Sequence, residues 1–298
     1  METTPIGLTL SGLSHHKLSV EEDTMHYVAA GTYGSPILLV HGFPETWWTF
    51  HKLIPLLAER HRVFAVDLRG FGDSSNGSGG YDSRTAAADL YLLIQHLNLG
   101  PVHLTGQDFN GAAIYRLVTS HPESIASLTA IEMGLPGFGL EALADITHGG
   151  SWHIGMLTAP DVPAMLLRDR EHAFIVHLFS SLSVDKSAIS ADDIAEFVRS
   201  YSRSNGWCGA IGLYRSILAE GAEIRKISAD KPLSLPVLAV SARGGAFTFE
   251  TMKQTGATDV RSVLIEGVGH YLALENPVAL ASAILEFIQP VDAGVAID

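Results

Sequence analysis

The stretch Val102–Leu117, "VHLTGQDFNGAAIYRL", decides the fold. Val102 to Thr105 is a short strand-like run, a turn bounded by Gly106 and Gly111 follows, and Ala113–Thr119 has a helical pattern. Strand, tight turn and helix in succession lift one side chain to the top of a sheet. The residue so lifted is Asp108, an acid where many such turns carry serine.

Outward from this turn, further strand-like runs predict an eight-stranded sheet. They are Gly7–Leu10, Met25–Ala29, Ile37–Val40, Val63–Val66, Leu128–Ile131, Val237–Ser241 and Ser262–Ile265. Helical patterns such as Thr85–Leu97 alternate with the later ones, which argues for an α/β fold with a mostly parallel sheet and helices on both faces. The alternation stops between about Gly134 and Lys231, where "AMLLRDREHAFIVHLF" and "ADDIAEFVRSYSR" carry helix periodicity. We expect residues 1–133 and 232–298 to form the core domain, with residues 134–231 inserted as a helical cap. "SSNGSGGYD" reads as a surface loop and the final "VDAGVAID" as a frayed tail.

Composition excludes several classes of function. A net charge of −13 over 298 residues, without a basic run, argues against nucleic acid and anionic membrane surfaces. A single cysteine, Cys208, excludes an internal disulfide and a thiolate metal cluster. "METTPIGLTL" has no basic start followed by an apolar stretch, and no apolar run approaches about 18 residues. The expectation is a cytoplasmic protein without metal or other cofactor. No H-E-x-x-H spacing occurs, and His15–His16 read as exposed loop. "DLRGFGDSS" reads as a structural turn, and neither it nor "GLPGFG" has the fingerprint of a dinucleotide site.

A raised nucleophile needs a base and an acid to orient it, following in the order nucleophile, acid, histidine. "VLIEGVGHYLALENP" places His270 in a glycine-bounded loop after the last strand, at the sheet edge where such folds hold ligands. For the acid, "AVSARGGAFTF" offers no carboxylate before Glu250, whereas "SLTAIEMGLPG" ends its apolar run on Glu132. An acid there is expensive to bury unless it is paired. Partnering His270 is one reason for it, and binding cap backbone is the other. In "HGFPETWW", the Phe43 amide, with that of Phe109, makes a two-donor oxyanion hole, while His41 reads as structural.

Together "HGFPETWW", "DLRGFGDS", "GQDFNG" and "GVGHYLALENP" resemble the α/β-hydrolase epoxide hydrolases and their dehalogenase relatives. "SWHIGMLTAPDVPAMLLRDREHAFIVHLF" and "GLYRSI" resemble the Cif-like branch of the epoxide hydrolases. The likeness spans about Val28 to Ile288. It implies Asp108, Glu132 and His270 as the catalytic set, His153 and Tyr214 as the ring-opening pair of the cap, and a cis Phe43–Pro44 bond. Two departures bear on the relatives. Phe109 lacks the indole donor that haloalkane dehalogenases commonly hold there. Phe109 and Ala112 also stand where fluoroacetate dehalogenases carry arginines. Gln107 replaces a common histidine.

An aspartate suits displacement at saturated carbon, because its carboxylate attacks and leaves an ester. The ester carbonyl fits the oxyanion hole, and His270 activates water to hydrolyse it. An epoxide leaves as an alkoxide, which needs donors such as Tyr214 and His153. On the residues alone, packing under the cap for Tyr214 and a satisfied polar position in the cap for His153 are the favoured readings, and the resemblance is what assigns them the donor role. The expected activity is therefore epoxide hydrolysis to a vicinal diol. A haloacid or haloalkane dehalogenase using the same Asp108 is the alternative. A binding protein on a decayed scaffold is a third reading. Phe43, Trp47, Phe109 and Trp152 are expected to rim the pocket and to favour an apolar or aromatic epoxide. A homodimer is left open.

Overall fold

The computed structural model describes residues 1–77 and 80–294. Residues 78–79 of the expected surface loop and 295–298 of the expected tail lie outside this set. Among the described residues, nine strands form one sheet: β1 (Glu2–Thr3), β2 (Ser14–Val20), β3 (Asp23–Ala30), β4 (Pro36–Val40), β5 (Arg62–Val66), β6 (Val102–Gln107), β7 (Ile125–Ile131), β8 (Val237–Ser241) and β9 (Val260–Leu264). Their order is β1-β2-β3-β5-β4-β6-β7-β8-β9. The pairings from β5 through β9 are parallel, and β1, β2 and β3 add an antiparallel edge.

The middle strands are buried almost without interruption. All five residues of β4 and of β8 are buried, as a sheet covered by helices on both faces requires. Helices Ser83–Leu97, Gly111–Ser120 and Pro277–Asp292 supply part of that cover. The last of these runs through Asp292, so 291–292, expected as tail, are helical.

The N-terminal prediction needs correcting. Gly7–Leu10 is not a strand, and the segment that pairs is Ser14–Val20, "SHHKLSV". Its polar residues hid it. His15 is buried, with Nδ1 3.0 Å from His26 Nε2, and His26 Nδ1 lies 2.7 Å from Asp67 Oδ2. The His15–His16 pair is thus sheet, not exposed loop. The count of nine rather than eight strands comes from the two-residue β1 alongside β2.

Between β7 and β8 the described chain is helical without strands, including Trp152–Thr158, Glu171–Leu182, Ala191–Tyr201, Cys208–Ala219 and Gly221–Asp230. Trp48 Nε1 donates to Asp193 Oδ1 at 2.8 Å, and Arg199 pairs with Asp73 at 2.7 Å, tying this insertion to core turns. Gly221–Asp230 packs on Gly111–Ser120. No helix among the described residues is long and apolar enough to cross a membrane.

Candidate active site

Sheet register brings the key residues to one edge. Val40 pairs with Gly106, Gln107 with Ile131, and Ile131 with Val240. The residues that follow these strands therefore emerge side by side: His41–Phe43, Asp108, Glu132 and Ala242. Asp108 has φ +60° and Glu132 φ +45°, so both side chains stand on left-handed turns. Such a conformation is unfavourable for a non-glycine residue and persists where surrounding structure holds it. Gly111 makes the elbow possible, because a Cβ there would sit 2.1 Å from the Gly134 carbonyl oxygen.

The structure brings Asp108, Glu132 and His270 together. His270 Nε2 lies 3.6 Å from Asp108 Oδ1, and its Nδ1 lies 3.4 Å from Glu132 Oε2. Glu132 also accepts from the amides of Ala242 at 2.7 Å and Gly244 at 3.1 Å. Burial would lower the pKa of His270, but hydrogen bonding and charge from Asp108 and Glu132 raise it to about 10. With Asp108 free, His270 is therefore an imidazolium between two carboxylates.

The Phe43 amide donates to Asp108 Oδ2 at 3.1 Å, on the peptide that follows Gly42 and precedes the cis Phe43–Pro44 bond. Phe109 leaves the same elbow with its side chain buried. His41 is fully buried, its Nε2 accepting from the Leu68 amide at 3.2 Å and its Nδ1 2.8 Å from the Gly42 carbonyl. Asp67 accepts from the amides of Trp47 and Asp73, which makes "DLRGFGDSS" a structural turn.

From the helical insertion come His153 and Tyr214, 3.4 Å apart between Nε2 and the hydroxyl. Tyr214 stacks on Phe109 with ring centroids 5.3 Å apart, and His153 stacks on Phe43 at 5.9 Å. Burial lowers His153 to about 4 and raises the Tyr214 phenol well above its ordinary value. Both are neutral near pH 7, and the Tyr214 hydroxyl keeps its proton. They share a cavity of about 140 Å³ with Asp108, His270, Phe43 and Phe109, walled by Leu140, Ile154, Leu178 and Ile217. A larger, open groove of about 690 Å³ between β9 and helix Pro277–Asp292 contains none of these groups.

Two expected pocket residues are corrected. Trp47 is 1% exposed and packs edge-on against His15 and Trp48, inside the core rather than at the cavity. Trp152 is 47% exposed beside Phe174 and His177, because its helix turns the next residue, His153, inward instead. The aliphatic walls were missed, having no signature beyond apolar periodicity. Glu45 was missed as well, although it lies within "HGFPETWW". It is fully buried and accepts from the Gly42 amide at 2.9 Å, from Thr49 and from Gln107 Nε2 at 3.1 Å. Burial pushes its carboxyl up to about 7.

Comparison with known proteins agrees with this architecture. A family model described as the alpha/beta hydrolase fold matches residues 35–277. A soluble epoxide hydrolase of Corynebacterium sp. (strain C12) is 29% identical over 291 residues, covering 93% of this chain and 98% of that protein. The crystal structure of Cfl2 from Burkholderia cenocepacia superposes with a TM-score of 0.89 at 30% identity, over 96% of this chain and 100% of that one. The Cif epoxide hydrolase from Acinetobacter nosocomialis superposes with a TM-score of 0.87 over 94% of this chain and 90% of that one. At 23% identity this last likeness concerns the fold alone.

Proposed function

The chain belongs to the alpha/beta hydrolase fold family, and from that premise we propose that it hydrolyses epoxides to vicinal diols through an ester on Asp108. The similarity to the soluble epoxide hydrolase of Corynebacterium supports this reading along nearly the whole chain. The observation that carries it is the neutral pair His153 and Tyr214 facing the same cavity as Asp108. A carboxylate alone serves many displacements, but an oxygen leaving group needs a donor that still holds a proton.

In this mechanism Asp108 attacks a ring carbon, the C–O bond opens, and Tyr214 with His153 stabilises the oxygen as its charge develops. That oxygen takes up the proton His270 gives up once Asp108 has lost its charge. The ester carbonyl then takes the hydrogen bond from the Phe43 amide, with the Phe109 amide as second donor. His270, oriented by Glu132, removes a proton from water, which attacks the carbonyl carbon. The diol departs and Asp108 is regenerated. No metal or other cofactor enters any step.

The aliphatic and aromatic cavity walls support a small apolar or aromatic epoxide. A haloalkane or haloacid fits less well: the Phe109 side chain has no N–H for a halide, and Ala112 is buried where an arginine would grip a carboxylate. We further propose that residues 134–231 act as the cap over a core of 1–133 and 232–298, with Gly221–Asp230 as its joint to the core. A cytoplasmic location remains part of this reading, and a homodimer is compatible with it.

The test is a Glu132→Gln variant exposed to a small apolar epoxide. Hydrolysis should slow more than ester formation, so mass spectrometry finds the adduct on the peptide containing Asp108. An adduct elsewhere, or halide release from a haloacid with no diol from any epoxide, would overturn the reading.

A further inference from the structure

Ring opening has its donors in the cap, but the water of the second step needs partners of its own besides His270. Several buried side-chain polar atoms have no hydrogen-bond partner among the described residues, and three of them concern this site: the Tyr201 hydroxyl, the Tyr271 hydroxyl and Gln107 Oε1. Their residues are each 1% exposed or less. Buried polar groups are ordinarily paired, and an ordered water making about three hydrogen bonds is a common partner for such a cluster.

These atoms do not lie scattered. Gln107 immediately precedes the nucleophile, and its Nε2 is committed to Glu45 Oε1 at 3.1 Å, which turns Oε1 away from that carboxylate. Tyr271 follows His270, meets its ring edge-on with centroids 5.2 Å apart, and lines the active cavity. Tyr201 ends the helix Ala191–Tyr201 and packs edge-on against Phe43 at 6.0 Å. Both tyrosines are close enough to Glu45 and Asp108 to feel their charge, and Tyr271 also feels Tyr201. Three separate segments thus carry unpaired polar atoms on residues that adjoin Asp108 or His270 in the chain or feel the charge of Asp108.

We propose that Gln107 Oε1 and the Tyr271 hydroxyl, backed by the Tyr201 hydroxyl, position the water that hydrolyses the Asp108 ester. This rests on the ester mechanism above. One water hydrogen points to Gln107 Oε1 and the other to His270 Nε2. The Tyr271 hydroxyl donates to one lone pair, and the second lone pair remains for attack. That pair forms the bond to Cγ of Asp108 while His270 takes the proton. The intermediate collapses by breaking the bond between Cγ and the substrate oxygen, which receives the proton back from His270. Asp108 retains one oxygen from water, and no oxidant or further reactant is needed. Gln107, Tyr271 and Tyr201 are positioning residues here, because the proton passes through His270.

Single-turnover reactions of a small apolar epoxide separate the two half-reactions. They are followed by the mass of the Asp108 peptide in time-quenched samples. Tyr271→Phe removes only the hydroxyl, whereas Gln107→Met keeps the side chain's length but removes Oε1 together with the Nε2 donor to Glu45. Both should form the ester at close to the wild-type rate and hydrolyse it about tenfold to a hundredfold more slowly, the scale of one lost hydrogen bond. Tyr201→Phe should show the same split with a smaller loss. Wild-type hydrolysis in Tyr271→Phe and Gln107→Met overturns the proposal. So does equal slowing of both half-reactions, which is what disturbed packing would give. A single turnover of the wild type in oxygen-18 water tests the premise separately. Failure to label Asp108 would remove the ester, and with it this water site, whatever the variants do.

Discussion

The two walls of the active cavity treat charge in opposite ways. On the sheet side, Asp108 and Glu132 stand on left-handed turns, and amides of Phe43, Ala242 and Gly244 point at their carboxylates. Backbone donors there hold negative charge in place, and His270 answers it as a cation raised to about 10. On the insertion side, His153 and Tyr214 rest against Phe43 and Phe109, with one 3.4 Å contact between them. Burial there suppresses charge, lowering His153 to about 4 and keeping Tyr214 protonated. The contrast matches two chemical needs: an attacking group must be an anion, whereas a donor to a departing oxygen must be neutral and hold a proton.

On that division, removing the anion should have the largest effect. Asp108→Asn should lower kcat by more than about 10⁴-fold, judging from removal of nucleophiles elsewhere. Steady-state diol release above a hundredth of wild type would break the comparison at its base.

Loss of a neutral donor should come next. Tyr214→Phe or His153→Ala should cost roughly 2.7–4 kcal/mol in ester formation, about 10²–10³ in rate, by analogy with single oxyanion donors. The double variant should lose less than the two penalties combined, because the groups share one oxygen. A variant that opens epoxides at the wild-type rate marks its residue as packing.

The charged wall should also show itself in stability. His270 is raised from an ordinary 6.5 to about 10, so its contribution is fully present below about pH 6.5 and is lost as pH rises toward 10. Melting temperatures should fall across that window, and the fall should be shallower in Asp108→Asn, which removes one partner charge. Equal slopes would mean that Asp108 does not hold the proton on His270.

Smallest is the effect of the neutral wall on acid stability. His153 is lowered to about 4, so the unfolded chain takes up a proton below 6.5 while the folded chain does not. Stability is lost as pH falls from 6.5 toward 4, with a slope of at most about 1.4 kcal/mol per pH unit from this one group. Denaturant midpoints of His153→Phe should therefore depend less on pH in that range than those of the wild type.

Local pattern made much of this molecule legible. Runs such as Ile37–Val40 and Val237–Ser241 announce themselves because a strand covered on both faces must be apolar throughout. The elbow is equally local, since strand, turn and helix adjoin in the chain and Asp108 has one place to go. His270 follows from its loop after the last strand. Ser14–Val20 escaped because its strand character depends on partners elsewhere: His15 is held by Thr9 and His26, and His26 in turn by Asp67, far along the chain.

The amino-acid sequence by itself determined the α/β architecture, the helical insertion and the candidate nucleophile, acid and histidine in their order. Each of these follows from residues close together in the chain, where periodicity and turn chemistry act. Tertiary structure alone decided that Trp47 belongs to the core and Trp152 to the surface, although the same residue type stands in both. It alone brought Glu45, Tyr201 and Tyr271 near Asp108. Burial is a property of what the rest of the chain packs against, and it sets the charge state as well as the position of a side chain. An inserted segment can only acquire its role as the neutral wall once register has carried the sheet edge beneath it.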